Sequence, residues 1–212
     1  LEQRVEWLHQ LRKLCTDHGV LLIFDEVISG FRLHFGGYGD LKGVSADIIT
    51  LGKIIGGGMP MGALMGSRDL MERLAPLGDV YQAGTLSGNP ISLAAGMATL
   101  DLLADGSAYK QLEDLGETLD LEVRGLQEHH PWLRCRRVGS LVWFHLADMD
   151  VPRRAIDISG KAVKRFNQLH RPLLNQGIYL PPSGYELLFL SVAHSPEDVR
   201  SLITNIFHYG AN

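Results

Sequence analysis

The sequence of 212 residues has few cysteines and no long apolar run, and each absence excludes a class of protein. Its two cysteines, Cys15 and Cys135, lie far apart and lack metal-ligand spacing, so we expect neither a disulfide framework nor a metal site. No apolar run approaches the roughly 18 residues that a transmembrane helix needs, and the first residues lack the basic-then-apolar order of a signal peptide. We therefore expect a cytoplasmic protein, or one of the plastid stroma if the source is a plant or an alga.

The chain also lacks an excess of either charge. Its 20 basic and 24 acidic residues give a formal net charge of -4, and no block of lysine and arginine offers a surface for phosphates. Nucleic acid is therefore not an expected partner, and neither is a membrane. Hydrophobic residues at 45% and charged residues at 21% are ordinary globular proportions, which exclude a disordered chain and a coiled coil. Glycine is plentiful, with 24 copies, which indicates many turns or close backbone approaches.

The order of hydrophobic patterns predicts an α/β fold in residues 1–105 and a smaller α+β fold in residues 106–212. We expect two domains with these bounds. Because the sequence begins inside a helix-like pattern, we also expect it to be the later part of a longer chain. The predicted strands are 20–24, 48–51, 61–66, 178–180 and 187–192, with a two-strand unit in 134–147. The predicted helices are one that stops at Gly19, then 90–104, 107–129, 161–175 and a last one near the C-terminus. Asn or Ser is the expected cap of helix 90–104, with Pro90 in its first turn, and Ser195 and Asp198 resemble a capping box at the start of the last helix.

Two acidic residues, Asp25 and Glu26, follow the apolar run 20–24, which is typical of a parallel strand buried on both faces. Ligands of open α/β sheets bind beyond the carboxyl ends of strands, so this is a favourable place for chemistry. One reading is a magnesium site in a nucleotide-hydrolysing enzyme, which also needs a Gly-x-x-x-x-Gly-Lys-Ser/Thr loop. The Gly-Lys pair at 52–53 is followed by Ile54, although such a loop could lie upstream. A second reading gives the acids no chemistry, as a helix cap or a solvated strand end.

Lys53 follows the predicted strand 48–51 in an apolar and Gly-rich stretch. Such surroundings solvate an ammonium ion poorly, so we expect them to favour the neutral amine, which is a nucleophile. A lysine of this kind forms a Schiff base with an aldehyde, and in pyridoxal phosphate enzymes an acid on the pyridine nitrogen keeps the ring an electron sink. Asp25, at the end of the preceding predicted strand, is a suitable acid. The alternative for Lys53 is an ordinary solvated charge, and the run 56–58 is expected to be a tight backbone path around the lysine.

Three segments carry a family resemblance: Phe24–Arg32, Leu51–Ala63 and Gln82–Pro90. In order and spacing they resemble the fold-type I, class-III pyridoxal phosphate aminotransferases. The likeness covers nearly the whole chain, and the tail segments 177–186 and 191–194 look most similar to the glutamate-1-semialdehyde 2,1-aminomutase family. The resemblance implies an α/β, fold-type I transferase of which this chain is the C-terminal half, with the end of the large mixed-sheet domain followed by the small α+β domain.

The resemblance also implies a cofactor, pyridoxal 5′-phosphate or pyridoxamine 5′-phosphate, and assigns residues to it. Lys53 would carry the cofactor in a Schiff base and move protons, Asp25 would pair with the pyridine nitrogen, and Val27 would pack on one ring face. Gly84 and Thr85 would bind the phosphate of the neighbouring subunit through an amide and a hydroxyl, which implies a homodimer with shared active sites. Without the family, Thr85 is part of an ordinary turn before a helix.

Glu186 is the residue that points to a substrate. Many class-III transaminases have an arginine in this region that holds a substrate carboxylate, whereas the stretch 187–194 has none and the aminomutase family has a glutamate at this place. The resemblance therefore implies the conversion of (S)-4-amino-5-oxopentanoate, or glutamate-1-semialdehyde, to 5-aminolevulinate in tetrapyrrole biosynthesis. The alternatives are a surface acid at Glu186, a class-III aminotransferase for another amine or a carrier-bound aldehyde, and an inactive or purely binding fragment. The family's phosphate-cupping loop has no match in the sequence, so we expect an incomplete site.

Overall fold

The structure is a computed structural model that describes residues 2–211. The chain divides into two compact units, an N-terminal unit of residues 3–108 and a C-terminal unit of residues 109–211 with Glu2. The assignment of 1–105 and 106–212 to a large and a small domain stays a prediction. Within residues 2–211, no helix is both long and apolar enough to cross a membrane.

The N-terminal unit contains a three-stranded mixed sheet. Strand β1 (Ile23–Asp25) pairs parallel with β2 (Ile48–Leu51), and β2 pairs antiparallel with β3 (Ala63–Gly66). The parallel pair needs a long crossover, and this one contains a short helix, α2. The elements of the unit are α1 (Val5–Asp17), β1 (Ile23–Asp25), α2 (Tyr38–Leu41), β2 (Ile48–Leu51), a 3-10 helix (Lys53–Gly56), β3 (Ala63–Gly66), α3 (Arg68–Met71) and α4 (Pro90–Leu103).

Two sets of side-chain hydrogen bonds stabilise the elements of this unit. The Asp47 carboxylate accepts hydrogen bonds from the Leu22 amide at 2.7 Å and from the Arg12 guanidinium at 2.6 Å, which ties α1 to the start of the sheet. These partners, the Leu22 amide first, hold the pKa of Asp47 below its usual range. The Asn89 side chain caps α4 by accepting from two amides of its first turn, with Pro90 next to it, as the sequence predicts.

The predicted burial of strand 20–24 on both faces is wrong for the described chain. The strand is only Ile23–Asp25 in length, and Ile23 is 57% exposed. The reason is its position, since β1 pairs with β2 alone among the described strands and its other edge is open. A hydrophobic pattern reports how apolar a strand is, but it does not report whether the same chain covers it.

In the C-terminal unit, helices pack on an antiparallel sheet in which β5 (Leu141–His145) lies between β4 (Arg134–Val138) and β6 (Leu188–Phe189). The apolar faces of three helices and the inward face of β5 form one core, in which Leu119, Leu169, Leu173, Ile203 and Ile206 are at most 1% exposed. The Ser195–Asp198 capping box that the sequence predicts begins the last helix. The elements are α5 (Ser107–Gln127), β4 (Arg134–Val138), β5 (Leu141–His145), a 3-10 helix (Ala155–Asp157), α6 (Gly160–Asn175), β6 (Leu188–Phe189) and α7 (Pro196–Gly210).

Two predicted strands of this unit are corrected by the structure. Residues 178–180 form no strand, and the predicted strand 187–192 shrinks to β6. Leu180 and Leu190 are nevertheless 1% and 2% exposed, so their apolar character serves the core from irregular backbone. A short apolar run predicts burial more reliably than it predicts ladder pairing.

Arg137 of β4 connects the sheet to α5. Its guanidinium contacts the carboxylates of Glu113 at 2.9 Å and Asp120 at 2.8 Å, and it lies over Gly116, where a Cβ would collide with it. These acids raise the pKa of Arg137, with the hydrogen bond to Glu113 as the largest cause, and the same bond lowers the pKa of Glu113. A side chain at position 116 would therefore force the guanidinium to shift away from its present place over the helix.

Candidate functional site

Asp25 and Lys53 lie at the ends of two neighbouring parallel strands. Asp25 is the last residue of β1 and lies opposite Thr50 of β2 in the register, while Lys53 follows the end of β2 by two residues. The carboxyl ends of parallel neighbours meet at one edge of a sheet, where open α/β sheets bind ligands. The fold therefore brings the predicted acid and the predicted lysine to one sheet edge.

The Asp25 carboxylate is exposed and only half occupied. Its Oδ1 accepts hydrogen bonds from the Val27 amide at 3.1 Å and from the Thr50 hydroxyl at 3.3 Å. Among the described residues, Oδ2 has no hydrogen-bond partner. The strand end thus orients a carboxylate and leaves one oxygen for an outside group.

Glu26 behaves in the opposite way, because successive strand residues point to opposite faces. It is 2% exposed, and its carboxylate accepts hydrogen bonds from the amides of Tyr38 and Gly39, each at 2.8 Å, and from the Ser29 hydroxyl. The protein itself satisfies this acid, so Asp25 and Glu26 do not form a paired carboxylate site. Glu26 is therefore not available as the second ligand of the hypothetical magnesium site. Within residues 2–211, no cluster of three His, Cys, Asp or Glu side chains could hold a metal ion.

Lys53 has a backbone conformation that is rare for its residue type. Its φ of +48° lies in the left-handed region, directly after the extended Gly52. For an L-residue this region costs about 1–2 kcal/mol, and strain of this kind clusters at functional sites. The turn thus holds a strained lysine at a position where glycine would fit with less strain.

The expected poor solvation of Lys53 is wrong for this chain, because its side chain is exposed. The apolar neighbours behind that expectation lie elsewhere: Ile55 is 4% exposed, and its carbonyl oxygen faces Gly96 of α4. Residues of a tight turn project in different directions, so neighbours in sequence need not surround one another. The Lys53 ammonium has no hydrogen-bond or ion-pair partner among the described residues.

The Gly-rich run beside the lysine packs closely on α4. Gly57 has a φ of +57°, and a Cβ on it would meet the Ala95 carbonyl and the Thr99 hydroxyl. A Cβ on Gly96 would collide with the Ile55 carbonyl oxygen. Backbone therefore meets backbone, which only glycine permits. This packing agrees with the tight path predicted for the run.

Val27 lies beside the lysine turn. A Cβ on Gly52 would stand 3.2 Å from Val27 Cγ1, so the valine rests against the residue that precedes Lys53. Its amide at the same time donates to Asp25. One residue therefore touches both strand ends.

Gly84 and Thr85 lie in an exposed loop before α4. Residues 85–88 form a turn closed by the Ser87 amide on the Gly84 carbonyl at 2.9 Å, so the ordinary-turn reading describes the local conformation of Thr85. Gly84, Ser87 and Asn89 border an open cleft of about 360 Å³ whose other wall is Pro60–Gly62. The role of Gly84 and Thr85 toward a phosphate stays a prediction.

Glu186 is exposed in a loop of the C-terminal unit. The loop itself is anchored, because the Gly184 amide donates to Asn167 at 2.8 Å and its carbonyl accepts from the Trp143 indole at 2.9 Å. The Glu186 carboxylate has no partner among the described residues. Its part in a substrate site stays a prediction.

Sequence reasoning missed the buried role of Glu26 and the strained backbone of Lys53. A signal for Glu26 exists in the close glycines Gly37 and Gly39, since a Cβ on Gly37 would come within 2.8 Å of Glu26 Oε1. No sequence signal indicates a positive φ at a lysine. That feature follows from the tertiary packing of the turn.

Comparison with known proteins gives a family match over most of the chain. Residues 2–204 match the family described as aminotransferase class-III. Similar curated proteins include the glutamate-1-semialdehyde 2,1-aminomutases of Methylacidiphilum infernorum, 44% identical over 202 residues, and of Thermus thermophilus, 46% identical over 210 residues. Both alignments cover 95% of this chain but only 46% and 47% of the relatives. The chain therefore spans about half the length of the curated relatives it matches.

Solved structures agree with the predicted fold. An omega-transaminase from Sphaerobacter thermophilus superposes with a TM-score of 0.85 at 27% identity, over 100% of this chain and 48% of that one. A transaminase with PLP bound gives 0.84 at 29% identity, with the same coverage. A glutamate-1-semialdehyde-aminomutase from Pseudomonas aeruginosa PAO1 in complex with PMP gives 0.83 at 27% identity, over 99% and 48%. The α/β architecture is that of the fold-type I transferases, as the sequence predicts.

Proposed function

Because the chain belongs to the class-III aminotransferase family, we propose that it supplies the lysine and the acid of a pyridoxal 5′-phosphate site. Lys53 is the lysine and Asp25 is the acid. One observation carries the proposal: an acid with a free oxygen ends β1, and a strained lysine without a partner follows the parallel neighbour β2.

The residues present suit this cofactor. A pyridine nitrogen needs a carboxylate with an accessible oxygen, and Oδ2 of Asp25 meets that need. The cofactor aldehyde needs an amine outside any ion pair, and Lys53 offers one. The apolar side chain of Val27, resting on Gly52, suits one face of an aromatic ring.

The cofactor, when bound, supplies an electron sink for charge that develops on a substrate carbon. Asp25 would hold a proton on the pyridine nitrogen through Oδ2. Lys53 would hold the aldehyde carbon of the cofactor through Nζ, and its amine would be the group that moves a proton between carbon atoms. The Thr50 hydroxyl and the Val27 amide keep Asp25 oriented throughout.

Borohydride reduction after addition of pyridoxal 5′-phosphate tests the assignment. We expect peptide mapping of the 212-residue chain to find the pyridoxyl group on Lys53. Lys13, an exposed lysine of α1, is the matched control and should stay largely unlabelled. Preferential labelling of Lys42 or Lys161 would contradict the proposal.

We further propose a homodimer in which Gly84 and Thr85 bind the phosphate of the partner's cofactor. The exposed loop and the uncovered apolar side chains of α4 support it, since Ile91, Met97 and Leu102 are 68%, 66% and 76% exposed. A hydrogen bond to a charged group contributes about 1.5–3 kcal/mol, so Thr85→Val should weaken cofactor binding about tenfold to a hundredfold. Thr85→Ser should restore it, and unchanged binding in Thr85→Val would refute this role.

For the whole protein we propose the aminomutase reaction, from glutamate-1-semialdehyde to 5-aminolevulinate. Curated aminomutases at 42–47% identity support it, and Glu186 is the residue assigned to the substrate side. The test uses the protein isolated from its native cells. The five-carbon amino-aldehyde should be converted without any added amino donor. Glu186→Gln should lower the rate of this conversion more than it lowers the labelling of Lys53 by the cofactor.

A class-III aminotransferase for another amine is the second candidate. It is favoured by the structural likeness to a beta-phenylalanine aminotransferase from Variovorax paradoxus, with a TM-score of 0.83 at 32% identity over 97% of this chain and 47% of that one. Brisk transamination with glutamate, and no 5-aminolevulinate from the semialdehyde, would select this candidate.

A further inference from the structure

We infer that Glu26 is a positioning residue that keeps the Asp25 carboxylate and Val27 in place at the sheet edge. The inference rests on the proposed function only for what Asp25 and Val27 bind. The contacts that carry it lie within the N-terminal unit.

The Glu26 carboxylate connects two segments that are separate in sequence, the turn after β1 and the start of α2. Within the turn that follows β1, it accepts from the Ser29 hydroxyl. From the first turn of α2, it accepts from the amides of Tyr38 and Gly39 at 2.8 Å. These amides begin α2, so the carboxylate also satisfies donors that a helix start leaves unpaired. Three bonds to a carboxylate that is 2% exposed make a rigid junction.

The backbone of Glu26 belongs to the same junction. Its amide donates to the Thr50 carbonyl at 2.9 Å and continues the β1–β2 ladder, and its carbonyl accepts from the Gly30 amide at 2.8 Å. The turn between Glu26 and Gly30 is therefore closed at both ends. A Cβ on Gly30 would collide with Leu51 of β2, so this turn lies against the neighbouring strand.

Val27 is the residue through which the junction reaches the site. It is the first residue of the turn, its amide donates to Asp25 Oδ1 at 3.1 Å, and its side chain rests on Gly52 beside Lys53. A turn that is free to shift would carry the Val27 amide away from Asp25. The buried acid thus acts through Val27 on the exposed one.

The test compares the wild-type 212-residue chain with Glu26→Gln. Glutamine keeps the size of the side chain but replaces one acceptor oxygen by an N–H₂ group, which cannot accept from an amide. Leu8→Ala, in the buried position of α1, is the control that destabilises the same unit outside the turn. Two readouts are taken: hydrogen exchange of the Val27 amide, and the rate at which pyridoxal 5′-phosphate and borohydride label Lys53.

We expect Glu26→Gln to accelerate Val27 exchange beyond the Leu8→Ala control and to slow Lys53 labelling about tenfold or more, because a displacement near 1 Å can cost about a hundredfold in reactivity. Ser29→Ala should show a smaller change in the same direction. If exchange at Tyr38 and Gly39 rises while Val27 exchange and Lys53 labelling match the control, Glu26 is merely structural and the inference is overturned.

A failure of the proposed function is separable from a failure of this inference. If the wild-type chain shows no preferential label on Lys53, the cofactor proposal fails. The Val27 amide then decides on Glu26 alone: faster exchange in Glu26→Gln than in Leu8→Ala supports the positioning role, and equal exchange refutes it.

Discussion

The strained backbone of Lys53 predicts that alanine and glycine at this position reverse their ordinary order of stability. Replacing Lys53 with alanine removes the amine but keeps a Cβ at a φ of +48°. Replacing it with glycine removes both the amine and the steric conflict. We therefore expect Lys53→Gly to be more stable than Lys53→Ala, although glycine is ordinarily the less favourable residue.

The magnitude follows from two opposing contributions. Relief of the left-handed conformation gains about 1–2 kcal/mol. The greater freedom of glycine in the unfolded chain costs about 0.4–1 kcal/mol. The net advantage of Lys53→Gly over Lys53→Ala in the free energy of unfolding should be about 1 kcal/mol.

Native-state hydrogen exchange of the β2 amides measures this difference within the unit that contains the lysine. Exchange in Lys53→Gly should be about fivefold slower than in Lys53→Ala. The matched pair is Lys13→Gly and Lys13→Ala inside α1, where φ is helical and glycine should be worse by about 1 kcal/mol. Neither Lys53 variant should carry a pyridoxyl group at position 53. If Lys53→Gly proved less stable than Lys53→Ala, by an amount like that of the Lys13 pair, the strain argument and its link to function would be refuted.

Three further predictions concern packing and charge. Gly96→Ala should destabilise the N-terminal unit by about 1–2 kcal/mol, because the added Cβ would meet the Ile55 carbonyl. Gly125→Ala, in open space on α5, should instead stabilise the protein by up to about 1 kcal/mol. Thermal melts measure both changes, and similar shifts of the melting temperature in the two variants would contradict the close contact at Gly96. Arg137→Met should lower the free energy of unfolding of the C-terminal unit in urea by about 2 kcal/mol, because Glu113 and Asp120 lose their ion-pair partner. Arg154→Met removes an exposed ion pair and should leave the urea midpoint unchanged. Equal effects of the two variants would contradict the stabilising role of Arg137. Burial lowers the pKa of His145 below its usual 6.5, so below that pH the unfolded chain binds a proton more readily than the folded chain does. The contribution of His145 to stability is therefore fully present above about pH 6.5 and is lost as pH falls. His145→Phe should reduce the dependence of the melting temperature on pH between about pH 8 and pH 5, whereas His129→Gln, at an exposed position, should not. An unchanged pH dependence in His145→Phe would refute the role of His145.

Local chemistry was sufficient to predict much of this protein. The Asn89–Pro90 and Ser195–Asp198 helix starts, the β4–β5 pair and the strand that ends in Asp25 are written in neighbouring residues, because caps, turns and alternation act over a few positions. The motifs around Asp25 and Lys53 also identified the family. The roles of Lys53, Asp25, Val27, Gly84, Thr85 and Glu186 stay predictions until they are tested.

Other features depended on contacts between residues distant in sequence, and only the tertiary structure decided them. The pattern makes Asp25 and Glu26 look alike, but the start of α2 at Tyr38 and Gly39 binds the buried Glu26, while Asp25 is left exposed. The pattern makes Lys53 look buried, but in the structure it is Ile55 that is buried, with its carbonyl close to Gly96 of α4. Lys53 itself is exposed and has a left-handed backbone conformation. A residue's own neighbours set its intrinsic preference, and the opposing surface sets its exposure, its partners and its strain.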